Sequence, residues 1–402
     1  FYAFECIRMH SEPLARFLQS WRAAIACRRA FVGKVIDLTA SSPSSRSSRA
    51  TSYDVAAAAG VAQSTVSRCF QPGSNISAKT RAHVQAVAAR LGYVPNLLAQ
   101  SLITGQSHAV GLVITRYTLH GLPGLLYALG DALSKARKRL VLLAVDDDDA
   151  VASAIADIQG YPLDGLISCA TLDDDLVTQF QAHGVPVLFF NRQPGRVKAD
   201  SISTDHAKGA GELAVQLLAA GHRRFLCVAG PVQAPVNVAR MKGFLAALRK
   251  MNIEPIDVLH TDFSYQGGHD AFLAAAASGL RPDCVFCAND ALAMGVMDAC
   301  RFSLAWRIPQ DIVVAGFDDV PEAARPTYRL TTVRQPMEQM ADEAVKLLEA
   351  RIQQPTAAVQ TVFFDGTVIA RASAPLAAVP VSAMPAAAAS GRRRNGSAAD
   401  PA

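Results

Sequence analysis

Gln63, Ser64, Thr65, Ser67 and Arg68 crowd into the stretch QSTVSR. On a helix they cover the side opposite Val66 and Phe70. Side chains of these types donate and accept hydrogen bonds at base edges and phosphate oxygens in a major groove. Other residues invite different chemistry. Asn289 and Asp290, in CAND, end an apolar run, and ligands of open α/β sheets bind at strand ends. Cys284 and Cys287 have a C-x-x-C spacing, but PDCVFCAND reads as a buried strand before a helix. A redox pair would sit at a helix amino terminus. The run DDDD (146–149) lacks the Asp-Gly spacing of a calcium loop and is expected to be a solvated loop capping the next helix. There is no G-x-S-x-G elbow, no H-E-x-x-H and no P-loop, so the reading is non-enzymatic, with no metal and no cofactor.

The polar face needs a helix, and the flanking residues supply one. Thr51 and Asp54 form a capping box that starts a helix at Ser52. Val55 and Ala59 share its inner face, and Gly60 ends it in a left-handed turn. A second helix begins at Gln63, with Val66 and Phe70 turned to the first. Two short helices on a tight glycine turn describe a helix-turn-helix. A third helix, capped by Ser77 and ended by Gly92, carries Lys79 and Arg81 near its start.

From Ala109 the texture changes. Apolar runs (AVGLVIT, RLVLLAV, DGLISCA, PVLFFN, RRFLCVAG, PDCVFCA, DIVVAGF) alternate with amphipathic stretches such as GAGELAVQLLAAG and VARMKGFLAALRKM. Continuously apolar strands are buried on both faces, and the alternation predicts βαβ units with parallel sheets, in two lobes. The 402 residues carry a net charge of +5, unevenly placed. Residues 1–108 hold 12 Lys/Arg against 4 acids, or +8, leaving −3 for the rest. A basic amino-terminal part suggests a polyanionic partner. The cysteines show no disulfide framework and fit a reducing cytoplasm. No apolar run is long enough to cross a membrane.

Residues 1–50 begin with Phe1 and lack the apolar stretch and cleavage site of a secretory signal. They read as a disordered or non-native extension ending in the Ser-rich TASSPSSRSSRA. Residues 374–402 read as a disordered tail whose Arg392–Arg394 cluster is solvated.

TSYDVAAAAGVAQSTVSRCF…NISAKTRAHVQAVAARLGYVPNLLAQSL closely resembles the LacI/GalR (lactose-repressor/galactose-repressor) family of bacterial transcription regulators, and the resemblance continues to about Ser373. It implies an all-α headpiece at 51–94 and a hinge helix at 95–106. A two-lobed α/β sensor of the type I periplasmic-binding-protein kind follows at 109–373. Lobe 1 is expected at about 109–190 and 336–364, and lobe 2 at 191–335 and 365–373. Crossings are expected near Phe190–Arg192, Thr332–Gln335 and Phe364–Asp365.

By position, the resemblance gives Gln63, Ser64 and Arg68 to operator bases. It gives Thr65, Ser67, Asn75, Ser77 and Thr80 to phosphates, and adds Ser52, Tyr53 and Asn96 as DNA contacts. In the hinge, Leu102 would be an apolar wedge between base steps and Ala99 a small close contact. Phe190, Arg240, Asn289, Asp318 and Gln335 would bind an effector. An arginine fork beside carboxylate acceptors suits a sugar or sugar acid. Asp290 is read as a helix cap and Asp319 as a loop acid, while Arg116, Tyr117 and His120 are weaker cleft candidates. Two departures stand out: Ala62 where the family commonly has a Ser cap, and Gln71 where Asn is common. The implied partners are pseudo-palindromic operator DNA, a small-molecule effector and a second copy of the chain. The implied function is a cytoplasmic, effector-controlled regulator, usually a repressor. A solute receptor of the same fold is the alternative, but it leaves the headpiece unexplained.

Overall fold

The computed structural model describes residues 50–71, 73–94, 106–156, 160–376 and 392–395. The chain divides into two compact units, residues 1–95 and 96–402. The first holds α1 (Ser52–Ala59), α2 (Gln63–Cys69) and α3 (Ala78–Leu91). Both halves of the Thr51–Asp54 capping box form, and Gly60 closes α1 at φ 65°, where a Cβ would be strained. Ala62 stands at the start of α2 with no side-chain bond to the helix, whereas the Ser77 hydroxyl accepts from the Thr80 N–H at the start of α3. Val55, Val66, Cys69, Val84, Val87 and Ala88 make the small core. Phe70 lies half-buried just beyond α2, edge-on to Tyr93.

The second unit has two parallel sheets, as the alternation predicts. The first lobe is built on β1 (Ala109–Thr115), β2 (Arg139–Val145), β3 (Gly165–Ser168), β4 (Val187–Phe190), β5 (Asp200–Thr204), β11 (Gln360–Phe364) and β13 (Arg392–Asn395). Their order is β13-β11-β5-β4-β3-β1-β2, parallel throughout except that β13 runs antiparallel to β11. One face packs on α5 (Pro123–Lys135) and α12 (Met337–Gln353) through residues such as Leu129, Leu133 and Leu348. The other packs on α6 (Val151–Ala156) and α7 (Asp174–Ala182). A short α4 (Arg116–Gly121) follows β1 directly.

The second sheet has the order β7-β6-β8-β9, from β6 (Phe225–Ala229), β7 (Asp257–His260), β8 (Cys284–Cys287) and β9 (Val313–Ala315). Here α8 (His206–Ala219) and α9 (Pro235–Arg249) cover one face, and α10 (Tyr265–Ala277) and α11 (Asp290–Asp298) the other. Helices α8 and α9 approach so closely that a Cβ on Gly243 would lie 2.0 Å from the Ala207 carbonyl oxygen. Cys284 and Cys287 point to opposite faces of β8, one in each core layer, and burial pushes both thiols well up. A small antiparallel pair, β10 (Thr332–Arg334) and β12 (Thr367–Ile369), lies where the chain passes between lobes.

Two expectations need correction. The first crossing lies after Thr204, not at Phe190–Arg192, because β5 pairs with β4 and β11 in the first sheet. Its sequence, DSIST, is polar, yet every residue is buried. Asp200 holds Arg351 through two bonds of 2.9 Å, which satisfies its carboxylate inside the lobe. Two described parts of the tail expected from residue 374 belong to the fold: Ala374 is buried in the second lobe, and Arg392–Asn395 extend the first sheet. Among the described residues no helix is long and apolar enough to cross a membrane.

Candidate functional site

On α2, Ser64 and Arg68 are exposed, while Thr65 and Ser67 are half-buried. Gln63 donates to the Ser52 hydroxyl at 3.2 Å, a bond that ties the starts of α1 and α2 together. Tyr53 is exposed on α1, and Asn75 in the following loop. Ser77 and Thr80 are already engaged as the cap of α3. The loop from α2 to α3 is pinned by Arg81, which the sequence placed only as a charge near the start of the third helix. Arg81 donates to the carbonyls of Cys69 (2.6 Å) and Ser74 (3.1 Å), so it is a strut rather than a free cation. Asn96, Ala99 and Leu102 lie outside the described residues.

The second unit has a cavity of about 570 Å³ between its lobes. All the expected effector residues line it: Phe190, Arg240, Asn289, Asp318 and Gln335. Their side chains form one network. Arg240, on α9, donates to Asp318 at 2.7 Å, to the Ala288 carbonyl at 2.6 Å and to His206 Nδ1 at 3.3 Å, with its guanidinium 4.0 Å over Phe317. Because Arg240 Nε–H donates to it, Nδ1 is the acceptor and His206 is the neutral Nε2–H tautomer. Burial, then the Arg240 and Arg192 cations, hold His206 well below the usual histidine pKa.

Gln335 donates to Asp318 Oδ1 at 2.7 Å and accepts from Asn191 at 2.9 Å and Thr204 at 2.8 Å. It thereby links a second-lobe carboxylate to the ends of β4 and β5 in the first lobe. Asp318 sits at φ 126°, a strained backbone for a residue with a Cβ. Arg240, Gln335 and its own N–H bonded to the Val333 carbonyl hold it there. Burial raises the Asp318 pKa, against the pull of Arg240.

Other expectations are refined. Asn289, not Asp290, caps α11: its Oδ1 accepts from the Leu292 N–H, and its Nδ2 donates to the Phe263 carbonyl. Asp290 is a buried tie, accepting from Thr332 Oγ1 (2.6 Å) and the Val320 N–H (2.9 Å), and burial raises its pKa to about 7. Asp319 is no simple loop acid, since it joins Arg334 and Arg371, each at 2.6 Å, with its carboxylate buried. Of the weak candidates, Tyr117 lines the cavity, whereas Arg116 pairs with Asp146. In the acidic run, Asp147 accepts from the Ala150 N–H just before α6 and Asp148 from Thr171, and Asp147, Asp148 and Asp149 border the cavity. Among the described residues no cluster could hold a metal ion.

Sequence reasoning passed over Arg192, also in the cavity wall. Its signal was a cation directly after an apolar strand, in LFFNR. Asn191 leaves β4 at φ 52°, a left-handed turn that asparagine tolerates, and Arg192 follows it.

A polar helix on a three-helix unit and a cleft between two α/β lobes together define a DNA-binding regulator that senses a small molecule. Residues 51–96 match the bacterial regulatory proteins of the lacI family, and residues 214–374 a periplasmic binding protein-like domain. The chain is 32% identical to the ribose operon repressor of Escherichia coli K12 over 331 residues, 81% of this chain and all of that protein. It is 30% identical to the lactose operon repressor of the same strain over 302 residues, covering 74% of this chain and 83% of the relative. A crystal structure of the lac repressor dimer bound to operator and an anti-inducer matches with TM-score 0.73 and 28% identity, covering 81% of this chain and 99% of that one. The chain belongs to the lacI family of DNA-binding repressors controlled by small-molecule effectors.

Proposed function

We propose that α2 reads operator bases through Gln63, Ser64 and Arg68, and that Tyr53, Thr65, Ser67 and Asn75 meet the phosphates. Ser52, Ser77 and Thr80 belong to the same DNA face; the Ser77 and Thr80 hydroxyls also cap α3, and the Ser52 hydroxyl also accepts from Gln63. The hinge residues Asn96, Ala99 and Leu102 complete it by resemblance. The protein acts as a homodimer on a pseudo-palindromic operator, which places it in the cytoplasm with the DNA. The dimeric, operator-bound lac repressor supports this arrangement.

The effector occupies the cavity between the lobes, against Phe190, Arg240, Asn289, Asp318 and Gln335. The observation that carries this is the Asn191–Gln335–Asp318–Arg240 chain, which lines the cavity while joining both lobes. A ligand competing for these hydrogen bonds changes the relative energy of lobe arrangements and so shifts an existing equilibrium. The ligand is bound and not turned over, in keeping with relatives that are named as repressors. Ribose and lactose in the relatives' names favour a sugar-like ligand.

The test combines gel shifts on the promoter of the neighbouring genes with calorimetry against sugars and sugar acids. One ligand should bind the cleft and change operator affinity. Cleft binding without any DNA binding would instead favour a solute receptor.

A further inference from the structure

The cavity contains two guanidinium groups, and the protein neutralises only one of them. Arg240 has Asp318 at 2.7 Å, the Ala288 carbonyl at 2.6 Å and the Phe317 ring beneath it. Arg192 is left differently. Its Nη1 donates to the Asn191 carbonyl at 3.1 Å, while its Nε is buried without a partner. Among the described residues it has no ion pair within 4.0 Å. The acid facing it, Asp148, is already engaged by the Thr171 N–H at 3.0 Å and hydroxyl at 2.9 Å. Partial burial pulls the Arg192 pKa down, against the pull of Asp148. Arg192 as a whole is half-buried, but its Nε edge is buried without a partner, and a ligand that brings a counter-charge to that edge offsets the cost.

We infer that the ligand of this cleft is a polyhydroxylated monocarboxylate whose carboxylate sits on Arg192. The inference rests on the cleft being the effector site, and it names the chemical class of the effector. A guanidinium fork meets a carboxylate through two parallel hydrogen bonds, and one negative charge is tolerated beside the acids of this cavity better than two. A doubly charged phosphate is disfavoured, because Asp147, Asp148, Asp149 and Asp262 line the same cavity. Those acids suit hydroxyl donors on the rest of the ligand, as do Thr115, Thr118 and Gln233. The cavity of about 570 Å³ accommodates a six-carbon acid.

The test is calorimetry on the full chain with D-gluconate and D-galacturonate, each beside its neutral partner, D-glucose or D-galactose, and with D-glucose 6-phosphate as a third arm. An acid should bind about tenfold to hundredfold more tightly than its neutral partner. Arg192→Gln should remove that preference, and Arg192→Lys should keep part of it. A readout without ligand accompanies this. Arg192→Met should raise the melting temperature of the empty protein, because it deletes an uncompensated charge. A lower melting temperature for Arg192→Met would overturn the inference, since the arginine would then be satisfied by the protein itself, whether or not any probe binds. Neutral sugars binding as tightly as the acids, or the phosphate ester binding best, would overturn it too while leaving the cleft reading intact. The cleft reading fails separately, if Arg240→Ala and Asp318→Ala leave an effector's control of operator binding unchanged.

Discussion

The α2 face and the interlobe cleft use similar side chains in opposite ways. Arg68 is exposed, and no ion pair within 4.0 Å involves it among the described residues. Arg240 is 4% exposed and is bonded at Nε, Nη1 and Nη2. A solvated arginine contributes little to folding and is available to a partner. A buried arginine is part of the fold, so any ligand that uses it also perturbs the packing around it. On the proposed roles, the difference separates a solvated reading surface from a sensor whose binding groups are part of the fold. Substitution should harm binding alone in the first region, and stability together with binding in the second.

The strongest way to break that contrast is Arg240→Ala. It leaves the Asp318 carboxylate buried without its cation, and removing one partner of a buried pair costs about 3–5 kcal/mol. Denaturant unfolding of the sensor should register the loss, and calorimetry should show no effector binding. A variant of unchanged stability would mean that Asp318 is well solvated and the network is not structural.

Arg68→Ala comes next. It should cost about 1–3 kcal/mol of operator affinity and relax base preference, if the fork reads a base edge. Its unfolding curve should match the wild type, since the side chain is exposed. Unchanged operator preference would remove Arg68 from the reading face.

A third prediction concerns pH. The Asp290 pKa is raised to about 7 in the folded protein, from 3.8. Between those values the folded state holds the proton more firmly than the unfolded state, so this group stabilises below about pH 4 and loses its contribution as pH rises toward 7. Asp290→Asn keeps a neutral side chain able to bond Thr332 and the Val320 N–H. The stability of Asp290→Asn relative to wild type should therefore grow as pH rises from 4 to 8, with a slope of at most about 1.4 kcal/mol per pH unit. Thermal melts across that range would show it, and a flat difference would mean that Asp290 is ionised throughout.

The smallest effect tests the headpiece. Ala62→Ser supplies the cap that α2 lacks and should stabilise the headpiece by about 0.5–1 kcal/mol. Operator titrations alongside melts would show whether the gain stays in the fold.

Local chemistry made the headpiece legible. Its capping box, its Gly60 turn and the Ser77 cap involve residues at most a few positions apart, and the structure reproduces each. Apolar runs likewise announced β1, β3, β4, β6, β8 and β9, because strands buried on both faces must be apolar unless something else satisfies them; the run of β2 announced a strand too, although as an edge strand it leaves Leu142 and Ala144 exposed. Strand β5 is the instructive exception. Asp200 and Ser203 are tolerated there because Arg351 and Asn191, distant in sequence, supply hydrogen bonds.

The positions of Arg240, Asp318 and Gln335 could be named from sequence by resemblance, but not their mutual bonding. Nor could the sequence show that the loop acid Asp319 bridges two arginines, or that Arg192 lines the cleft with no ion pair among the described residues. Capping and periodicity are local, so the order of residues determines them. The electrostatic state of a buried charge depends on which distant groups the fold brings within a few ångströms, and tertiary structure alone decides that.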